Sequence, residues 1–219
     1  MSKTTNLSAL SDVVSTDGTN VTISGNVTQL DGSPEYHFAT DSASHYNWRI
    51  AAQEQVNGGF EIASGTQTAG SNANSDTYTN RLVIDSAGRV TMPYQPMWTG
   101  FDLSGLVSGT SQQKLTFIVA KTNRGNHYNN GTWTCPVAGD YLVSVNLLTR
   151  SNAAHNIYLK KNGVDQAFSR DITPSGEQST GLTAVVACSA NDTLEIWVTS
   201  DTSGDFYPTY NSMTFRLLS

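Results

Sequence analysis

Apolar residues along this chain alternate with Thr, Ser and Asn at a period of two, and Gly, Asn or Asp closes each run. That period puts successive side chains on opposite faces of an extended backbone, so the pattern predicts half-buried strands. Val21-Thr22-Ile23 stops at Ser24-Gly25-Asn26. Leu82-Val83-Ile84 stops at Asp85-Ser86-Ala87-Gly88, and Arg89-Val90-Thr91-Met92 resumes after it. Each reads as strand, tight turn, strand. Further runs at Leu115 to Ala120, Tyr141 to Leu148, Asn156 to Lys160, Leu182 to Ala187, Thr193 to Thr199 and Met213 to Leu218 recur at the spacing of a β-sandwich or jelly roll. The best helical window, Ile50 to Val56, is short, and it is expected to continue Asn47-Trp48-Arg49 as a strand. Gly65 to Asn80, GTQTAGSNANSDTYTN, holds almost no apolar residue and predicts a surface loop.

Composition supports the all-β expectation. Ser, Thr, Asn and Gly make up 88 of 219 residues, and only 14% are charged, too few for a coiled coil or a long solvated helix. The net charge of −6 is uneven: residues 1–92 carry 4 basic and 9 acidic side chains, residues 93–219 carry 8 and 9. The only adjacent basic pair is Lys160-Lys161, so a phosphate-tracking surface is not expected and nucleic acid is excluded as a partner. No run approaches the roughly 20 apolar residues that span a bilayer, and MSKTTNLSAL lacks the apolar core of a signal peptide. The expectation is therefore no membrane insertion and no export address.

Two prolines in Met92-Pro93-Tyr94-Gln95-Pro96 favour an extended connector, at the point where the charge balance shifts. Asp31-Gly32-Ser33-Pro34 marks a softer break. Together they divide the chain into an N-terminal segment, 1–34, a small β domain, 35–92, and a larger β domain, 93–219.

Candidate chemistry is sparse. There is no G-x-S-x-G elbow, H-E-x-x-H, phosphate-cradling G-x-x-x-x-G-K or G-x-G-x-x-G, so catalysis is not expected. His37, His45, His127 and His155 are each isolated, which gives no metal site or cofactor within one chain. Cys135 and Cys188 both sit at apolar strand ends and read as buried thiols, with a bridge between them left open. Trp48, Trp98, Trp133 and Trp197 lie in strand-like runs and take a core or inter-subunit role by default. The turn-rich SGDFYPTYNS differs. There Asp205, Phe206, Tyr207 and Tyr210 join aromatic rings to a carboxylate, which suits stacking on a sugar or packing on a partner. The alternative is a loop folded back over its own barrel end.

From Pro96 to the end, the chain resembles the C1q/tumour-necrosis-factor-like jelly roll. Asn126-His127-Tyr128-Asn129 through Trp133-Thr134-Cys135-Pro136-Val137-Ala138-Gly139-Asp140-Tyr141 matches the family's recurring block. Leu159-Lys160-Lys161-Asn162-Gly163 matches its short hairpin, Asp192 to Trp197 its G-D-x-hydrophobic strand, and Ser212 to Leu218 its closing strand. Asn191 replaces the Gly before that Asp, the closing strand lacks its Gly, and no collagen-like stalk precedes the domain, which argues against a complement-type or secreted signalling protein. Arg81-Leu82-Val83-Ile84-Asp85-Ser86-Ala87-Gly88-Arg89-Val90, Asn20 to Val27, and the strand pair Trp48-Arg49-Ile50 and Phe60-Glu61-Ile62 are similar instead to blocks in fibre and appendage proteins of tailed bacteriophages.

The two resemblances together imply a homotrimeric virion fibre or short appendage, made in the host cytoplasm. In it residues 1–34 dock onto other virion proteins, the small domain spaces, and the C1q-like head meets a host-surface glycan or protein through Asp205, Phe206, Tyr207 and Tyr210. Some members of the resembled family hold calcium between subunits, and the resemblance admits the same here. The rival expectations are a purely structural head, neck or baseplate decoration protein without receptor binding, and a bacterial C1q-like lectin unconnected with a virus.

Overall fold

A computed structural model describes residues 14–16, 21–23, 26–40, 42, 44–66, 76–150, 153–173, 176–201 and 205–219. Every element among them is a strand, and the paired strands are antiparallel. The chain divides into two compact units, Met1–Pro93 and Tyr94–Ser219.

In the first unit β1 (Val14–Thr16) and β2 (Val21–Ile23) form a hairpin, and most of the expected docking segment 1–34 lies outside the described residues. A five-stranded meander follows, with β3 (Glu35–Phe38), β4 (Trp48–Ala52), β5 (Phe60–Ser64), β6 (Thr79–Ile84) and β7 (Val90–Thr91) in spatial order. Asp85 builds the last turn. Its carboxylate accepts the N–H groups of Ala87 (2.9 Å) and Arg89 (3.0 Å), and its carbonyl accepts that of Gly88 at 2.8 Å. The strand expected from Asn47 to Val56 ends at Ala52. Gln53 turns left-handed at φ 63°, and the buried Glu61 carboxylate captures the Gln55 and Val56 N–H groups at 2.8 and 2.7 Å, bending the chain back toward β5. The loop expected at 65–80 is also shorter than it reads, because Tyr78 is buried and Thr79 begins β6; residues 67–75 of it lie outside the described residues.

The second unit is a two-sheet sandwich. Its strands are β8 (Met97–Leu103), β9 (Val107–Ser108), β10 (Gln113–Lys114), β11 (Phe117–Arg124), β12 (Tyr128–Asn129), β13 (Thr132–Thr134), β14 (Gly139–Arg150), β15 (Ala153–Lys161), β16 (Val164–Thr173), β17 (Glu177–Cys188), β18 (Thr193–Ser200), β19 (Asp205–Phe206) and β20 (Ser212–Leu217). One sheet runs β12-β13-β18-β15-β16 with β10 on β18; the other runs β11-β8-β20-β14-β19-β9 with β17 on β14. The run read as one strand from Leu115 to Ala120 is split. β10 and Leu115 bond to β18 in the first sheet, and from Phe117 the chain crosses to pair with β8 in the second.

Aromatic rings join the two sheets. Trp133 stacks on Phe215 with centroids 5.5 Å apart and planes 12° apart, Tyr128 stacks on Trp98 at 4.0 Å, and Phe215 lies within 6.5 Å of Trp98. Trp133 and Tyr128 come from the first sheet, while Trp98, Phe215 and Tyr141 come from the second, so one column of rings spans the sandwich. Gly100 makes room for it: a Cβ there would stand 2.3 Å from the Trp98 ring. Asn191, in the place of the family's Gly, takes the left-handed conformation at φ 71°, which Asn tolerates, and its N–H bonds to Cys135 at 2.7 Å. Cys135 and Cys188 are free, buried and in side-chain contact, and burial pushes both thiols up.

Trp133→Ala should lower the free energy of unfolding by about 3–5 kcal/mol, whereas Val164→Ala, on an exposed hairpin, should stay within about 0.5 kcal/mol of the parent. Guanidinium unfolding of the full chain measures both. Equal midpoints would mean that the aromatic column does not carry the fold.

Candidate functional site

The segment between β19 and β20 is built by one buried side chain. Asn211, fully enclosed, accepts the Leu148 N–H at 2.8 Å and donates to the carbonyls of Tyr207 (2.6 Å) and Thr209 (3.2 Å). The Tyr207 N–H bonds to Leu148 at 2.9 Å, and the Pro208 carbonyl accepts from Leu103 at 2.7 Å. The loop is thereby tied to β14 on one side and to the end of β8 on the other.

The four residues singled out by sequence part company here. Phe206 is a core residue, 1% exposed, and packs edge-on against buried His155 with centroids 5.1 Å apart. It cannot touch an external partner, because β19 pairs with both β14 and β9 and turns its ring inward. Asp205 is half-buried on the same short strand. Tyr207 is half-buried, its hydroxyl accepting from Arg150 and the Arg150 guanidinium lying 5.5 Å from its ring centre. Tyr210 is 84% exposed, on backbone held left-handed at φ 65°.

Tyr210 flanks an open-sided pocket of about 550 Å³ lined by Phe101, Asp102, Thr209, Asn211 and Ser212. Asp102 is left-handed as well, at φ 55°. Residues two apart on a regular strand share a face, yet Phe101 is exposed and Leu103 is buried, because the positive φ between them re-aims the strand. Two non-glycine residues in a strained conformation thus face one pocket, the kind of strain that persists where the surrounding structure over-determines it and that gathers at binding sites. Chemically, the pocket offers two exposed aromatic rings beside one carboxylate. Rings of this kind stack on apolar faces, and a carboxylate accepts hydroxyl or amide hydrogen bonds. Sequence reasoning missed Phe101 and Asp102, since nothing in G-F-D-L signals a left-handed Asp inside a strand.

Elsewhere the structure gathers groups that looked isolated. His37 lies 3.0 Å from Glu35 and bonds to the Tyr78 hydroxyl at 3.0 Å. Arg49 pairs with Glu35 and Glu54, each at 3.1 Å, and lies 4.6 Å over the Tyr78 ring. Glu195, half-buried, collects Thr132 (2.7 Å), Trp197 (2.9 Å) and Lys114 (3.3 Å); burial raises its carboxyl, but these hydrogen bonds outweigh burial and hold it below the usual range. Trp98 and Trp133 are core residues, Trp197 is half-buried, and Trp48 is exposed. Among the described residues, no group of three or more His, Cys, Asp or Glu is placed to hold a metal ion, and no helix is long and apolar enough to cross a membrane.

Against known families, residues 103–216, just over half of the chain, match the C1q domain. This chain belongs to the C1q domain family. The C1q domain is a module that often mediates trimeric binding, and such domains are generally non-enzymatic. Among solved structures, the globular domain of zebrafish complement 1qA protein is similar at 17% identity and a TM-score of 0.43, covering 57% of this chain and 98% of its own. Murine APRIL at pH 5.0 is similar at 12% identity and a TM-score of 0.47, covering 57% of this chain and 99% of its own. A comparison with curated protein sequences finds no match.

The loop of this C1q domain yields a paired prediction. Asn211→Ala strands the Leu148 N–H and should cost about 1–3 kcal/mol. Tyr210→Gly relieves a left-handed tyrosine and should leave stability unchanged or raise it by up to about 1 kcal/mol. Urea unfolding distinguishes them; a loss of stability in Tyr210→Gly would show that the ring is structural.

Proposed function

We propose that this protein is a non-enzymatic, homotrimeric appendage of a tailed-bacteriophage virion that attaches to the host surface through its C1q head. The observation that carries attachment is Tyr210: a large apolar ring, almost wholly exposed, fixed on strained backbone beside a pocket with Phe101 and Asp102. An exposed tyrosine without a partner gains nothing for the fold, and such rings anchor interfaces. The site also lies at the end of the head away from the connector. β8 begins at Met97, next to the connector, and runs about 20 Å to Leu103, where the Pro208 carbonyl meets it.

Trimerisation draws support from the outward face of the second sheet. There a hydroxyl row, Thr99, Thr214, Ser144 and Thr183, crosses four strands in register, and the row beside it runs Met97, Arg216, Leu142 and the exposed Val185. An uncharged centre of this kind suits packing against copies of itself. The virion assignment rests on the fibre-like R-L-V-I-D-S-A-G-R-V block, which forms β6, the Asp85 turn and β7. In this reading the first ~30 residues dock onto virion proteins, as N-terminal segments tied down by a partner do.

The test uses labelled full-length chain on immobilised bacterial lipopolysaccharides and capsular polysaccharides. Binding by the parent that falls on the order of tenfold or more in both Tyr210→Gly and Phe101→Ala, a loss of roughly 1.4 kcal/mol or more, supports the site. Undiminished binding by both variants would remove the loop from the proposal.

A further inference from the structure

The small unit is a sheet turned inside out. Register places Glu35, His37, Arg49, Ala51, Glu61, Ala63 and Val83 on one face, where Arg49 and Glu61 are buried with the Tyr78 ring. Arg49 pairs there with Glu35 and Glu54, and Glu61 accepts from the 53–59 turn, so this face is already covered by its own side chains and loops. The opposite face carries the apolar residues. In register across it lie Tyr36, Ile50, Ile62 and Leu82, then Ala52, Phe60, Ile84 and Val90, with Phe38 beside Trp48 at one end. Tyr36 is 54% exposed, Phe38 56%, Trp48 42%, Phe60 43% and Val90 56%. Among the described residues this face has no carboxylate, and its one cation, Arg81, is at the margin, donating to Ser64 at 2.8 Å.

The amount of apolar surface decides what must happen to it. Four aromatic side chains of about 150–250 Å² each, roughly half exposed, present about 400 Å² before the aliphatic residues are added. A stable monomer seldom leaves a contiguous patch of more than a few hundred Å² in water, and a standard interface takes about 800 Å² from each partner. Behind the meander a small core of Ala51, Ala63, Val83 and Tyr78 packs with the ionic groups, and among the described residues no second layer lies on the apolar face.

We propose that this face packs against the same face of two further copies of the chain, closing the small unit into a three-faced prism around a threefold axis. The proposal rests on the trimeric reading of the head and extends it to a separate surface. A second copy is the occupant that the face itself indicates. Apart from Arg81 at its margin it bears no charge pattern to select a foreign partner, and such an apolar face meets its symmetry mates without leaving any carboxylate facing its own kind. Three heads held together would also keep three small units at high effective concentration through the Pro93–Pro96 connector, so each face needs only modest affinity of its own. The inverted polarity then has a reason. The ionic cluster of Glu35, Arg49 and Glu54 shapes each sheet from behind, and the apolar layer becomes the core of three chains together.

Cysteine cross-linking of the full chain tests this, since both native thiols are buried. Three single variants are treated with a short bismaleimide: Phe60→Cys on the apolar face, Thr91→Cys on the opposite face, and Val185→Cys on the head. The proposal expects covalent dimers from Phe60→Cys that level off at about two thirds of the chains, since each bismaleimide joins two thiols and the third copy keeps its own, and that form on the order of 10²-fold faster than from Thr91→Cys, because the first reaction is intramolecular within the assembly. Products from Val185→Cys with none from Phe60→Cys would overturn the prism and leave the head trimer standing. Products from neither would overturn both. Products from Phe60→Cys alone would keep the prism and sink the trimeric head. Protection of Phe60→Cys from labelling only inside assembled particles would assign the face to another virion protein and also overturn the proposal.

Discussion

The head depends on one constraint: two sheets rich in Thr, Ser and Asn must be held face to face by few large side chains. The column of Tyr128, Trp98, Phe215, Trp133 and Tyr141 meets it. Because rings of the two sheets stack on one another, fixing Trp133 fixes β13 and β18 against β20 and β8. β8 then carries its far end to a set position, where Asp102 and the Asn211-tied loop form the pocket beside Tyr210. The exposed ring is therefore positioned by the core, although it contributes nothing to it.

The two units resolve the same shortage of apolar surface in opposite ways. The head closes two sheets on a shared aromatic core. The small unit has a single sheet, buries Arg49 and Glu61 behind it, and leaves Trp48, Phe60 and their neighbours in front. Burying ions is costly unless they are partnered; Arg49 pairs with Glu35 and Glu54, and Glu61 accepts two backbone N–H groups. A chain that invests its charges behind the sheet and its aromatic rings in front is shaped for assembly.

The all-β jelly-roll class was legible because strands such as β14 obey strict alternation, Tyr141, Val143, Val145 and Leu147 facing the core. β8 and β16 were not legible, for different reasons. In β8 an inward position is Gly100, emptied to admit Trp98, and a left-handed Asp102 breaks the period. β16 has few buried side chains, so D-Q-A-F-S-R shows no apolar stripe. At the site, the aromatic content of SGDFYPTYNS drew notice to Tyr210. Composition could not tell Tyr210 from Phe206, because pairing of β19 with both β14 and β9, a long-range event, turns one ring in and leaves the other out.

Sedimentation equilibrium of the full-length chain, across a wide concentration range, tests the account most directly. Bare faces on both units predict a species near three times 23.5 kDa that persists on dilution until the chain unfolds. A folded species of 23.5 kDa at every concentration would contradict it, for the apolar faces would then be stable in water.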